Sequence, residues 1–77
     1  MQNLKDLHLM SKRNTLCDII RSNVTMIYSG KGCPEGQIDN DNRIKGKVIY
    51  VGINTFDFVF ESGDQATLTI ENFDGLE

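Results

Sequence analysis

The last 35 residues of the chain, residues 43–77, constrain the fold more than any other segment. Apolar and polar side chains alternate there in three short runs, and Gly52 and Gly63 fall in the breaks between the runs. Successive side chains of a β-strand point to opposite faces of the sheet, so each run has one apolar face. Glycine between such runs favours a turn, and the segment therefore predicts an antiparallel β-meander. The middle run has an aromatic side chain at every second position: Phe56, Phe58 and Phe60.

The first strand of this meander is predicted to be central and strongly bent. Within residues 44–51, the last four are apolar at neighbouring positions, which places Val48 and Tyr50 on one face and Ile49 and Val51 on the other. A strand that is apolar on both faces suits a position where each face is covered. The remaining predicted strand covers residues 24–29, where apolar positions also alternate.

Gly46 lies inside the central strand, where the missing side chain permits sharp bending. A flat sheet of this size would leave its aromatic face exposed to water and its two edge strands unpaired. Closing the sheet into a barrel removes both problems. We therefore predict a mainly β fold with an N-terminal helix, built as a small, strongly bent antiparallel barrel of about five short strands. The connection over residues 30–43, rich in glycine and Asp/Asn, is predicted to be a long loop that is either functional or a tolerated insertion.

The N-terminal part of the chain has a weaker secondary-structure pattern than the strands. Residues 1–14 are predicted to form a helix or a tail, because their apolar stripe is short. Thr15 and Asp18 approximate a capping box, which predicts a short helix over about residues 15–22, with a strand as the alternative. Residues 15–77 form the single predicted domain.

Composition limits the function. The chain has 77 residues and a pI of about 5.0, and all eight basic residues precede position 48, whereas the last 30 residues hold six acids and no base. No membrane span or signal peptide is recognised, so we expect a cytoplasmic protein. Two reduced cysteines fit that location, with Cys17 expected to be buried and Cys33 exposed.

The run Ile44-Lys45-Gly46-Lys47-Val48-Ile49-Tyr50-Val51-Gly52, followed by the three phenylalanines, resembles the first Sm motif. The similarity is closest to short Sm-like or SH3-like barrels of Gram-positive bacteria, and it covers residues 15–77. It implies a barrel that self-associates or binds single-stranded RNA. The chain departs from RNA-binding Sm proteins, which carry Asp where this chain has Gly52, and it has no counterpart of the second Sm motif.

Catalytic and metal-binding patterns do not emerge from the sequence. His8, Cys17 and Cys33 are too far apart for zinc-ligand spacing, and the loop that begins at Asp39 departs from a calcium loop at its fifth and sixth positions. We therefore expect no enzyme activity, no cofactor and no metal.

The sequence favours a non-enzymatic binding module that acts through protein contacts, with itself or with another protein as partner. The alternative is a single-stranded RNA binder that uses the basic 31–47 region, where four cations and a tyrosine could hold phosphates and a base. The acidic pI counts against this alternative, because nucleic-acid-binding domains are usually basic. The candidate binding residues are Lys31, Arg43, Lys45, Lys47 and Tyr50.

Overall fold

The computed structural model describes residues 4–77, and the side chains from residue 7 onward. One helix precedes five strands, and a single 3₁₀ turn separates the last two strands. In chain order the elements are α1 (Leu4–Asp18), β1 (Val24–Tyr28), β2 (Arg43–Val51), β3 (Thr55–Phe60), β4 (Gln65–Thr69), the 3₁₀ turn (Ile70–Asn72) and β5 (Phe73–Leu76).

The five strands form one antiparallel sheet in the order β4-β3-β2-β1-β5. This confirms the predicted class: mainly β, with an N-terminal helix and five short strands. The sheet does not close into a barrel, however. Strands β4 and β5 are its two edges, and the 3₁₀ turn connects them without strand pairing between them.

Gly46 is the point where β2 changes neighbours. It pairs with Val24 of β1 on one side and with Phe60 of β3 on the other. A Cβ atom built at this position would lie 2.0 Å from the carbonyl oxygen of Val59 and 2.8 Å from the Cα of Phe60. The backbones of β2 and β3 therefore approach each other at a distance that only glycine allows.

A β-bulge follows this close approach. The pairing of β2 with β3 runs from Val48↔Phe58 to Tyr50↔Asp57, so Ile49 is an extra residue in the register. A bulge places one additional residue on its own strand and reverses the alternation beyond it. Ile49 and Tyr50 are therefore both exposed, and the prediction that Val48 and Tyr50 share one face is wrong.

The inner face of the bent sheet holds the core. The three phenylalanines of β3 are buried as predicted, and their rings meet edge to face with centroids 6.4 Å and 5.0 Å apart. Edge-to-face contact places the positive rim of one ring against the negative face of the next. The buried core residues come from the helix and every strand: Leu16, Met26, Tyr28, Ile44, Val48, Phe56, Phe58, Phe60, Leu68, Ile70 and Phe73.

Side-chain and backbone hydrogen bonds join the two ends of the open sheet. The backbone N–H of Thr69 donates to the hydroxyl oxygen of buried Tyr28 at 2.9 Å, which connects β4 to β1. The N–H of Ser29 donates to the carbonyl of Asn72 at 2.9 Å. These bonds satisfy backbone N–H and C=O groups that would pair with a neighbouring strand if the sheet were a closed barrel.

Helix α1 is one continuous element, which corrects the predicted break at Thr15. The hydroxyl of Thr15 donates to the carbonyl of Ser11 at 3.1 Å, so this side chain bonds within the helix and does not cap a new one. Neither glycine nor proline occurs between residues 4 and 18, and nothing interrupts the helix there. Leu16 is buried against the sheet, and the ammonium of Lys12 donates to the carbonyl of Glu71 at 2.7 Å.

The long connection between β1 and β2 is packed onto the sheet, and its two ends are held by backbone bonds. Cys33 and Ile38 contact the core from this loop. The positions of the two cysteines reverse the expectation, because Cys33 is partly buried whereas Cys17 is exposed on α1. Both are free thiols, and burial raises the pKa of the Cys33 thiol above its ordinary value.

We predict that Gly46→Ala lowers the free energy of unfolding by about 3 kcal/mol, because the added methyl group collides with backbone atoms that cannot turn away. Urea denaturation measures the change. Gly63→Ala is the matched control: Gly63 also has a positive φ, of 97°, but no atom lies within 4 Å of its Cβ position. The control should lose only about 1–2 kcal/mol. Equal losses in the two variants would contradict the proposed role of the close approach.

We also predict that iodoacetamide alkylates Cys17 several-fold faster than Cys33 in the folded protein. Cys17 is exposed, whereas burial restricts access to Cys33 and raises the pKa of its thiol, which lowers the thiolate fraction. Mass spectrometry of peptides follows both sites. The two rates should converge in urea, and Cys17→Ser should abolish the fast phase. Equal rates in the native protein would show that the loop does not cover Cys33.

Candidate functional site

Three of the basic residues predicted to bind a partner alternate along β2. Arg43 pairs with Ile27 of β1, Lys45 pairs with Thr25, and Lys47 pairs with Val59 of β3. Every second residue of a strand shares a face, and the burial pattern places these three on the outer face of the sheet. These three candidate residues therefore form a row on β2, and the row crosses from the strand pair with β1 to the strand pair with β3.

Arg43 is held in an ion-pair cluster. Its Nη1 atom lies 3.0 Å from Asp41 Oδ2, and its Nε atom lies 2.5 Å from Glu77 Oε2. The nearby carboxylate of Glu77, together with its hydrogen bond, raises the pKa of the guanidinium. The positive charge is thus already neutralised by side chains of this chain, which leaves little of it for an external phosphate.

Asp39 organises the turn that leads into β2. Its Oδ1 atom accepts the backbone N–H of Arg43 at 2.9 Å and that of Asp41 at 2.8 Å. The hydrogen bond from Arg43 is the largest cause of a lowered pKa of this carboxyl, and the Arg43 charge adds to it. The Asp/Asn cluster of residues 39–42 is therefore a turn with internal hydrogen bonds. Among the side chains that the structure describes, those of residues 7–77, no group of three or more His, Cys, Asp or Glu could hold a metal.

Two shallow grooves meet at Arg43 and Lys45. One has a volume of about 360 Å³ and the other about 260 Å³, and both are open to solvent. Acidic side chains line each groove beside the two cations, namely Asp39 with Glu77 in one and Asp39 with Glu61 in the other. Such mixed lining suits weak polar contacts and does not select for an anion.

The other predicted binding residues lie elsewhere. Lys47 lines a separate groove with Glu61 and Gly63. Lys31 is exposed in the loop next to Gly32, and a Cβ atom at Gly32 would lie 3.9 Å from Leu68 of β4. The structure therefore brings Arg43 and Lys45 together in one groove and places Lys47 and Lys31 outside it.

Tyr50 belongs to an exposed apolar surface that the sequence did not reveal. The bulge turns Ile49 and Tyr50 outward, with 40% and 61% of their surfaces exposed, and Ile53 in the next turn is 74% exposed. The Tyr50 ring lies back towards this turn, because its Cε2 atom is 3.7 Å from the Cβ position of Gly52. Ile20 is 36% exposed, and its backbone forms a parallel bridge with Val48, the residue before Ile49. We call Ile20, Ile49, Tyr50 and Ile53 the hairpin patch.

Two cations border the hairpin patch. The backbone N–H of Arg21 donates to the carbonyl of Val48 at 2.8 Å, and Lys47 directly precedes Val48. Both side chains belong to exposed residues. Within the part of the chain that the structure describes, neither Arg21 nor Lys47 forms an ion pair, although Glu61 shares a groove with Lys47. Apolar side chains rimmed by charged ones are typical of interaction surfaces.

The hairpin patch has only a faint sequence signal. Ile53 is apolar in a turn where Asn, Asp, Ser or Gly usually lies, which is a reason to suspect a contact surface. The exposure of Tyr50 depends on the bulge, and the bulge depends on strand pairing that the sequence of β2 alone does not show.

Comparison with known proteins adds no assignment: no family model, curated protein or solved structure matches the chain. Among residues 4–77, no helix has the length and apolar character needed to cross a membrane. Membership of the Sm-like family and the cytoplasmic location stay predictions.

We predict that the Asp39 carboxyl titrates with a pKa below its ordinary value of 3.8. Because folding lowers this pKa, the carboxylate stabilises the native state above the ordinary value and loses that contribution as the pH falls through the folded pKa. NMR titration of the carboxyl carbon gives the midpoint. Arg43→Gln should raise the midpoint only partway, because the backbone hydrogen bonds remain. Asp39→Asn should weaken the acid dependence of the urea midpoint, and an Asp39 midpoint at or above 3.8 would contradict the assignment.

Proposed function

We propose that this chain is a non-enzymatic binding module that acts through protein contacts and associates with itself. The hairpin patch is the observation that carries the proposal. It leaves three isoleucines and a tyrosine partly or largely exposed to water, whereas most other large apolar side chains of residues 7–77 pack in the core. A protein surface that covered these side chains would remove their apolar area from water.

The composition of the patch supports a protein partner. Tyrosine and arginine are enriched at protein interfaces, and the most important contact residues tend to be rigid aromatic side chains near the centre. Tyr50 lies between Ile49 and Ile53 in the sequence, and the backbone of Arg21 bonds to that of nearby Val48, so both favoured residue types occur here. Small domains also gain stability from association, because their single core is limited in size.

The open sheet gives a second reason for self-association. Strands β4 and β5 are edges, and an edge strand presents unpaired backbone N–H and C=O groups that another strand can bind. Neither edge carries lysine or proline, the residues that commonly protect such edges. The resemblance to Sm-like barrels, which also implies assembly, is consistent with this proposal.

The alternative, a single-stranded RNA binder, receives less support. Arg43 is paired with Asp41 and Glu77, and Lys45 shares its grooves with acidic side chains. Lys31 and Tyr50 lie apart from that groove, so the five candidate residues do not form one continuous phosphate path. We therefore treat RNA binding as an outcome for the test to detect.

The test is sedimentation velocity of the wild type and of a double variant, Tyr50→Ser with Ile53→Ser, across micromolar concentrations. The wild type should sediment faster as its concentration rises. The double variant should associate about 30-fold more weakly, which corresponds to the loss of about 2 kcal/mol typical of an important contact residue. Leu7→Ser is the control, because Leu7 is 48% exposed near the start of α1 and does not belong to the hairpin patch.

Two outcomes would contradict the proposal. A wild type that remains monomeric at every concentration would exclude self-association. Retention of labelled oligouridine at low salt, with steep loss as salt rises, would instead support the RNA-binding alternative, because counterion release makes phosphate contacts salt-dependent.

A further inference from the structure

The open edge of β4 presents backbone groups that no strand pairs. The N–H of Phe60 donates to the carbonyl of Asp64 at 2.8 Å, so the backbone of Asp64 faces β3. Backbone groups point alternately to the two sides along a strand, and those of Gln65, Thr67 and Thr69 therefore point away from β3. Thr69 uses its N–H for the tyrosine hydroxyl described above. Among the described residues, none bonds to the backbone of Gln65 or Thr67 on this side.

The loop that follows β1 covers this edge without pairing with it. A Cβ atom at Gly32 would lie 3.9 Å from the carbonyl oxygen of Thr67 and 3.9 Å from Cδ2 of Leu68. Farther along the loop, the side-chain amide of Gln37 donates to the Asp64 carboxylate at 3.4 Å. The loop therefore follows β4 in the opposite direction. We call residues 30–38 the strap.

The strap is held by few contacts. Among the described residues, no backbone hydrogen bond joins it to β4, and its bond from Gln37 to Asp64 is long. Cys33 and Ile38 pack against the core and are only partly buried. A segment with few buried contacts and no backbone bonds to the sheet opens at a lower free energy than the sheet itself. Opening of the strap uncovers an edge that can accept another strand.

The charges around β4 favour a basic partner. Asp64 directly precedes the strand, Asp57 of β3 lies opposite Thr67, and residues 48–77 contain no base. Asp57 accepts the Thr67 hydroxyl and keeps its negative charge. Pairing of β4 with β4 of a second copy would bring these carboxylates of both copies to one junction, where like charges repel. An extended segment with lysine or arginine is attracted instead.

We infer that the β4 edge binds an extended basic segment of a different protein by strand addition, and that the strap moves aside to admit it. Gln65 and Thr67 supply the backbone hydrogen bonds, and Asp57 and Asp64 attract the cations of the segment. This surface does not use the hairpin patch, so the inference goes beyond the proposed function and is independent of self-association.

The probe is a short peptide of alternating valine and threonine with lysine at both ends. Titrated into isotope-labelled protein, it should shift the backbone amide signals of Gln65 and Thr67 and slow hydrogen exchange at Thr67. Iodoacetamide should alkylate Cys33 faster when the peptide is present, because the strap no longer covers this thiol. The same peptide with glutamate at both ends should bind at least about tenfold more weakly, because its charges face carboxylates.

Two substitutions at one position test the backbone contact. Thr67→Pro removes the N–H that points away from β3, and proline is tolerated at such an edge position. Its affinity for the peptide should fall about tenfold, because one bond and the room for its neighbours are lost. Thr67→Val is the matched control: it also loses the hydroxyl bond to Asp57 but keeps the N–H, and it should bind as the wild type does.

A second pair of variants tests the strap. Ile38→Ala removes an apolar contact with the core and should bind the peptide several-fold more tightly, because more molecules have an open strap. Glu35→Ala changes an exposed strap residue and should leave the affinity unchanged. Circular dichroism and urea midpoints identify any unfolded variant. Ile38→Val then replaces Ile38→Ala, and a peptide with methylated backbone nitrogens replaces Thr67→Pro, because it lacks the same hydrogen bonds without altering the protein.

The outcomes separate this inference from the proposed function. Absence of peptide binding, or equal binding by Thr67→Pro and Thr67→Val, would overturn the β4 edge as the site. Binding with an unchanged alkylation rate of Cys33 would overturn displacement of the strap. Weaker self-association of Thr67→Pro without peptide would assign the edge to a second copy and overturn the basic partner. Tyr50→Ser with Ile53→Ser should bind the peptide as the wild type does, whether or not the wild type self-associates.

Discussion

The close approach of β2 and β3 at Gly46 is the constraint on which the rest of the structure depends. With no side chain in the way, β2 pairs with β1 before this point and with β3 across and beyond it. The resulting bend wraps the sheet around its own aromatic face, so that a chain of 77 residues can bury four phenylalanines and a tyrosine without a second sheet. The helix and the long loop then need to cover only the openings that the bend leaves.

Much of this architecture could be predicted, because each strand has its own pattern of alternating residues in the sequence. Alternation with period two located the four strands β1 to β4, and the spacing of Phe56, Phe58 and Phe60 identified the core face. The helix was less predictable, since Thr15 offers the same side chain to a cap and to the preceding turn of a longer helix. The sequence feature that favours one continuous helix is the lack of glycine and proline between residues 4 and 18.

The candidate site was harder to predict than the fold, because charges and registers are settled by residues far apart in the sequence. Arg43 is predicted to bind a partner, yet it pairs with Asp41 nearby and with Glu77 at the far end of the sequence. The acidic end of the chain thus neutralises part of the basic region, whereas Arg21 and Lys47 retain their charge without an ion pair in the described structure. The surface with available charge is therefore a different one from the predicted loop.

The bulge at Ile49 has a consequence for how this surface can change. An extra backbone residue, and not the chemistry of the side chains, turns Tyr50 outward and Val51 inward. Substitutions in the patch change its polarity and shape, but they leave the same positions facing solvent. Loss of a single residue from β2 would instead exchange inside for outside along the end of the strand, sending tyrosine into the core and valine to the surface. The number of residues in β2, more than their identity, decides whether Tyr50 is exposed at all.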